Sequence, residues 1–322
     1  LLNIYQCKEE EVTMLKYILK RLVTCLVVIF ISMTAVFFVI RLLPANIVNP
    51  QLPAETQREL ERAYGLDKPV MEQYVNYLGN LAKGDLGRSI KVQQNIPVTK
   101  LIGEKAQVSI QIGIFAVLLS IIVGVLLGIA AAVRRGKFVD NTVTVITVLG
   151  ISIPSIVVSI LLQYFFTVQL RVFPAIYSKT NFLSVLAPIL ALSFWPTAQI
   201  AKYVRTELID VLNSEYILLA EAKGVSRRTL LFKHALRNAV IPAITVVGPL
   251  FVGTMLGGLV VERVFAIPGL GGLMADAVSV TDYPIIQGLT LLFASLFTFT
   301  YLFIDIIYGL VDPRIRLSGG DK

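Results

Sequence analysis

Residues 218–238 read LLAEAKGVSRRTLLFKHALRN, and their local chemistry describes two short helices around a tight turn. Ser214 is a good N-cap with Glu215 in the first turn, and Gly224 suits the left-handed position just past a helix end. Ser226 can cap a second, basic helix that runs through LLFKHALRNA until Pro242. An apolar stripe of Tyr216, Leu219 and Ala220 is expected on the first helix, and one of Leu230, Leu231 and Ala235 on the second. Ala220, Ala222 and Gly224 are small enough to let the two backbones approach. Alone, this is the outline of a DNA-reading helix-turn-helix.

The surrounding chain argues against that partner. Of 322 residues 56% are hydrophobic and 16% charged, with a mean hydropathy of +0.76, whereas soluble domains are about 45–50% apolar and about 25% charged. The excess points to a bilayer as solvent. A hydrocarbon core about 30 Å thick needs about 20 apolar residues per helix, and six segments qualify: 22–40, 108–133, 142–170, 183–201, 240–261 and 285–310. The hairpin falls between the fourth and fifth. About 40 residues between two spans cannot supply the third helix and separate core of a DNA-binding module, and Glu207, Asp210, Glu215 and Glu221 oppose any phosphate. No nucleic-acid partner is expected.

Short-loop charge sets the orientation. One side collects Lys16, Lys20, Arg21, Arg134, Arg135, Lys137, seven basic residues between Lys202 and Arg237, and Arg314, Arg316 and Lys322. The other side's short loops hold Arg171, Lys179 and Arg263. The net charge of +8 is thus a topological signal that places both termini and the hairpin in the cytoplasm. The polar stretch 42–107 faces outside and should hold at least one helix. Residues 1–13 have two readings. Lys8-Glu9-Glu10-Glu11 requires a purine run just ahead of the Met14 codon, as a ribosome-binding site read through as protein would; the alternative is a genuine polar tail. Native peptides upstream of Met14, found by mass spectrometry, would reject the first.

The spans carry packing signals. Ser120, Gly124, Gly128 and Ala132 recur every four residues, a stripe that lets another helix come close. Prolines at 154, 188, 196, 242 and 249 interrupt spans three to five. Intramembrane polar residues are Gln111, Gln163, Gln199, Gln287 and Asp305. Asp305 has no second acid opposite it, so the pattern does not favour an ion-coupled carrier. Two cysteines, Cys7 and Cys25, and one histidine, His234, give neither a disulfide framework nor a metal cluster. No phosphate-cradling loop or catalytic constellation is present: Gly136-Lys137 has Ala131 where the first glycine of GxxxxGK[ST] belongs. The glycines of AIPGLGGL (266–273), including Gly269 and Gly271, read as turn structure.

Taken together, the hairpin and several long motifs resemble ABC importer permeases. Ala222-Lys223-Gly224-Val225-Ser226, His234 to Ala239 (HALRNA) and Pro242 are similar to the cytoplasmic coupling loop, the EAA loop, of the peptide/nickel branch. MLKYILKRL (14–22), YGLDKPVMEQYVNYL (64–78), GDLGRSI (84–90), GISIPS (150–155), IPGLGGL (267–273), DYPIIQG (282–288) and DIIYGLVDPRIRLSG (305–319) resemble the B-type permease subunit of oligopeptide transporters. One departure is that the acid naming the EAA loop is Leu219 here, so Glu221 does not inherit its role.

The resemblance implies an all-α membrane protein of the type I importer permease fold. Span one would be 14–41, the extracellular segment 42–107, the five-span core 108–310 with coupling loop 202–239, and the cytoplasmic tail 311–322. It implies no enzyme activity or cofactor in this chain, ATP and Mg residing on partners. Those partners are a second homologous permease, two ABC ATPase subunits, an extracellular peptide-binding lipoprotein, an oligopeptide substrate and membrane lipid. A dipeptide or nickel system is the alternative within the family, and an ion-coupled secondary transporter is the alternative outside it. ATPase coupling would fall to Glu215, Ala220, Ala222, Gly224, Ser226, Arg227, Arg228, Lys233, His234 and Asn238. His234 also fits a hydrogen bond within the hairpin, Arg227 and Arg228 also fit plain positive-inside charge, and Pro154, Pro242, Gly269 and Gly271 are turn or kink positions.

Overall fold

The computed structural model describes residues 2–42 and 53–311, without the side chains of residues 2–17, 60, 63, 240–247, 255–257 and 307–311. Every named element is helical: α1 Leu2–Leu42, α2 Ala54–Ala63, α3 Val70–Ala82, α4 Val98–Val133, α5 Phe138–Ser152, α6 Ser155–Gln163, α7 Leu183–Leu212, α8 Glu215–Ala222, α9 Arg227–Thr229, α10 Leu236–Val264, α11 Leu270–Val280 and α12 Tyr283–Val311. Wide π-helical turns follow α6 (Tyr164–Gln169) and α9 (Leu230–Ala235). The chain divides into two compact units, residues 1–106 with 273–322, and residues 107–272.

Among the described residues four helices are long and apolar enough to cross a bilayer: Ile18–Leu42, Val98–Val133, Leu183–Leu212 and Tyr283–Ile306. The expected third span, 142–170, is not one rod: Phe138–Ser152 and Ser155–Gln169 meet at 104°. Pro154 is the cause. Its ring disfavours the helical conformation at Ile153, which is extended (φ −81°, ψ 123°), and it cannot donate to the preceding turn. The expected span 240–261 falls on the 29-residue α10, part of whose side chains are outside the description.

Other boundaries also shift. The second membrane helix starts at Val98, ten residues inside the stretch assigned to the exterior, which itself holds both α2 and α3. The fourth continues past residue 201 to Leu212, because Val204 and Leu208, both fully buried, extend its apolar face one turn at a time. Pro188 and Pro196 lie inside uninterrupted α7. Ser120 Oγ lies 2.7 Å from the Ala116 carbonyl and 3.0 Å from the Ser193 carbonyl, a hydroxyl that ties α4 to α7 near Pro196. Nor is there a helix break at Pro242, whose side chain is not described.

In the unit 107–272, the small stripe of α4 packs on α7. A Cβ on Gly124 would lie 2.9 Å from Ile200 Cβ, and one on Gly128 2.8 Å from the Ala201 carbonyl. On the opposite face Ile110, Ile114, Leu118, Ile122 and Leu126 are exposed. Such a helix is apolar all round, with small residues toward protein and large ones toward lipid. Val108, Ile112 and Ala116 continue the buried face against Ala187, Ala191, Val261 and Phe265. Gln163 donates to the carbonyls of Ala175 and Val264, both at 3.1 Å.

In the other unit α1 runs along α12. Arg21 pairs with Asp305 at 3.1 Å, and Cys25 is buried against the Thr298 carbonyl. Helix α3 packs on the end of α1, where Phe37 stacks on Tyr77 and Thr34 hydrogen-bonds the Tyr74 hydroxyl at 2.7 Å. Asp282, fully buried, fixes the loop before α4: one carboxylate oxygen accepts from Ser89 Oγ at 2.6 Å and from the N–H groups of Ile90, Lys91 and Val92 at 3.1, 2.8 and 2.9 Å. GDLGRSI and DYPIIQG thus meet through Ser89 and Asp282.

Candidate functional site

Between α7 and α10 the chain builds the hairpin its sequence announces. Ser214 occupies the N-cap position of α8, but its hydroxyl turns back to the Val211 carbonyl at 2.6 Å and caps no N–H of the helix. Exposed Glu215 lies in the first turn, where the N-terminal dipole favours a negative charge. The C-terminus closes in a Schellman motif. Gly224, at φ +79°, donates to the Glu221 carbonyl at 2.9 Å, and Val225 donates to the Ala220 carbonyl at 3.2 Å. Ser226 then caps α9, its Oγ accepting from the Thr229 N–H at 3.4 Å. The chain passes through the π turn straight into α10, so the second arm has no stop at its far end.

The underside of this hairpin is a packed plug. Ile217, Leu230, Ala235 and Ala239 are buried together with Leu208 and Ile209 of α7 and Ala132 of α4. Ala220, Val225 and Leu231 pack at the edge of this cluster. The expected stripe on α8 therefore needs correction, since Ile217 with Ala220 faces inward and Tyr216 and Leu219 face out. Two turns of helix have room for one inward row, and Ile217 and Ala220 are three apart. Ala222 and Gly224 lie exposed, and a Cβ on Gly224 would meet nothing within 4 Å. Neither brings the backbones together, so Gly224 is required for its backbone angle, a left-handed one that β-branched residues avoid.

The outer surface is both apolar and basic. Tyr216, Leu218, Leu219 and Phe232 are 44%, 56%, 57% and 61% exposed, beside exposed Lys223, Arg227, Arg228, Lys233 and Arg237. Asn238 Nδ2 donates to the Tyr216 hydroxyl at 2.8 Å and so ties the two arms together, whereas His234 sits half-buried in the π turn. A cavity of about 440 Å³ opens alongside, with Ile217, Leu230 and Leu231 in its wall and Arg135, Glu221 and Arg227 at its polar edge.

Among the described residues three carboxylates are buried, and their partners were not legible in the sequence. Asp140 accepts from the Gly136 N–H at 2.8 Å and from Arg205, whose Nη2 lies 2.9 Å away, which locks the α4–α5 turn to α7 one turn before Leu208. Glu262 accepts from Ser109 Oγ at 2.6 Å and the Gly272 N–H at 3.0 Å, while Ser109 Oγ accepts from the Leu270 N–H at 2.8 Å. Together they hold the start of α11. Asp282 is the third. Asp282 heads the DYPIIQG motif, whereas nothing in the sequence near Asp140 or Glu262 pointed to Arg205 or Ser109. Gly269 and Gly271 are accordingly close-approach positions with ordinary backbone angles. A Cβ on Gly269 would collide with the Glu262 carboxylate, and one on Gly271 with the Leu259 backbone.

Residues 124–317 match the family described as binding-protein-dependent transport system inner membrane component, and residues 14–101 match its N-terminal membrane component. The dipeptide transport system permease protein DppB of Lactococcus lactis subsp. cremoris is 39% identical over 94% of this chain and 100% of its own length. The oligopeptide transport system permease protein OppB of Salmonella typhimurium is 36% identical over 94% of this chain and all of its own, and the Escherichia coli OppB is 35% identical over the same shares. The chain belongs to the binding-protein-dependent transport system inner membrane components, the multi-pass permease subunits of ABC transporters, which leave ATP hydrolysis to other subunits.

Proposed function

We propose that this chain is the permease subunit of an ATP-driven importer of small peptides, forming half of the translocation pathway. The observation that carries this reading is the α8–α9 hairpin: its underside is fixed to α7 and it runs without interruption into α10, while its outer face presents uncovered Tyr216, Leu218, Leu219 and Phe232 amid basic charge. A monomeric surface this apolar outside the bilayer marks a protein contact. The contact is a groove on a cytoplasmic ATPase. Closure of two ATPases on ATP draws the hairpins of two permeases together, and the motion passes into α7 and α10 to turn a translocation cavity shared by the two permeases outward toward a peptide-loaded lipoprotein.

In this scheme the chain crosses the membrane six times, with α10 and the bent α5–α6 pair each counted once, both termini in the cytoplasm and residues 42–107 outside. The relatives named for dipeptide and for oligopeptide transport differ little in similarity, so either peptide length fits. Uptake of labelled di-, tri- and pentapeptides by cells carrying the complete transporter, and no other peptide importer, tests the reading. Vanadate-sensitive uptake of at least one class is expected. Uptake that follows the proton gradient and ignores vanadate would overturn it.

A further inference from the structure

A second cavity, of about 650 Å³, lies within the unit 1–106 with 273–322, where the end of α1, helix α3, the 85–95 loop and the start of α12 come together. It is lined by two donors that have no acceptor. Arg41 Nε donates to Gln73 Oε1 at 3.0 Å, and its guanidinium lies 3.8 Å over the Phe37 ring, yet its Nη1 is buried without a partner. Gln287, 5% exposed, has a buried Nε2 that likewise donates to nothing. A buried donor without an acceptor is unfavourable, and a bound acceptor relieves both of these.

Two charged groups at the cavity wall already have partners within the loop. Asp85 accepts from the Gly87 N–H at 2.8 Å, and Arg88 Nη1 donates to the Asn95 carbonyl at 2.8 Å. Burial pushes the Tyr77 phenol up to about 12, so it stays neutral and adds no negative charge. The buried donors without a partner are a guanidinium N–H of Arg41 and the amide N–H of Gln287, beside the aromatic rings of Phe37, Tyr64 and Tyr283. That combination suits a carboxylate attached to an apolar side chain.

We propose that this cavity binds the C-terminal carboxylate of a peptide, with Arg41 and Gln287 as its donors and the aromatic wall holding the terminal side chain. The proposal rests on the peptide-import reading and adds a binding site on the permease itself. The test uses the complete transporter in phosphatidylcholine nanodiscs, with Ala-Ala-Phe as free acid and as C-terminal amide. The free acid should bind about tenfold more tightly, as one charge-assisted hydrogen bond gives. Arg41→Gln should erase the difference. Asn76→Asp, at an exposed position on the cavity wall that threatens no packing, should weaken the acid and leave the amide unchanged.

Equal binding of acid and amide by the unaltered protein, or an acid preference that survives both substitutions, would overturn the assignment. Uptake measured in parallel separates the two levels. Import of both peptides without an acid preference removes the cavity proposal alone. Failure to import any peptide removes the import reading and the cavity proposal with it.

Discussion

Asp282 puts four donors on one carboxylate oxygen in a fully buried setting. Asp282→Ala leaves Ser89 Oγ and three backbone N–H groups without an acceptor. A loss on the order of 3 kcal/mol is expected, read as a lower thermal unfolding midpoint and faster proteolysis of the 84–97 loop. Rates equal to those of the unaltered protein would show that the anchor is dispensable. Gly271→Ala should cost at least about 2 kcal/mol by overpacking, because the new methyl meets the Leu259 backbone, which cannot rotate away. Such residues show how far sequence carries at this scale. Gly224 was legible because its requirement is local, a positive φ set by its neighbours in the chain. Glu262 was not, because its partner Ser109 is 153 residues away and burial of an acid has no local signature.

At the scale of helices, the small-residue period of α4 was a dependable signal, and the apolar stripe of the two-turn α8 was not. The four-residue spacing of Ser120, Gly124, Gly128 and Ala132 predicts a close helix contact, and α7 supplies it. Gly128→Leu should force α4 off α7 and lower the yield of folded protein several-fold in a fluorescence size-exclusion assay. A normal monodisperse peak would contradict this packing. Proline was the less dependable signal. Pro154 breaks its helix because Ile153 turns extended, whereas Pro188 and Pro196 are absorbed within α7. A missing N–H breaks a helix only where packing does not hold the flanking turns together. On the hairpin, Leu218→Glu and Phe232→Glu change exposed side chains, so folding stability should stay within about 0.5 kcal/mol. Co-purification of the ATPase should nevertheless fall sharply. Retention of wild-type amounts of ATPase would move the docking face elsewhere.

For the whole molecule, the greasy composition and the four long apolar helices among the described residues were readable because lipid imposes one rule on every span. The bend of the third span and the extension of α7 past residue 201 were not, since both follow from contacts between distant segments. Asp140 with Arg205, and Leu208 with Ile217, root the hairpin in the unit 107–272, so that a force on it reaches membrane helices directly. In the proposed function the hairpin transmits ATPase closure and needs its turn at Gly224 to do so. The most direct measurement is peptide-stimulated ATP hydrolysis by the assembled transporter carrying Gly224→Val, with Gly224→Asn as the variant that tolerates a left-handed backbone. Gly224→Val should insert and assemble but lose stimulation, and Gly224→Asn should keep most of it. Full stimulation in an assembled Gly224→Val transporter would contradict the account.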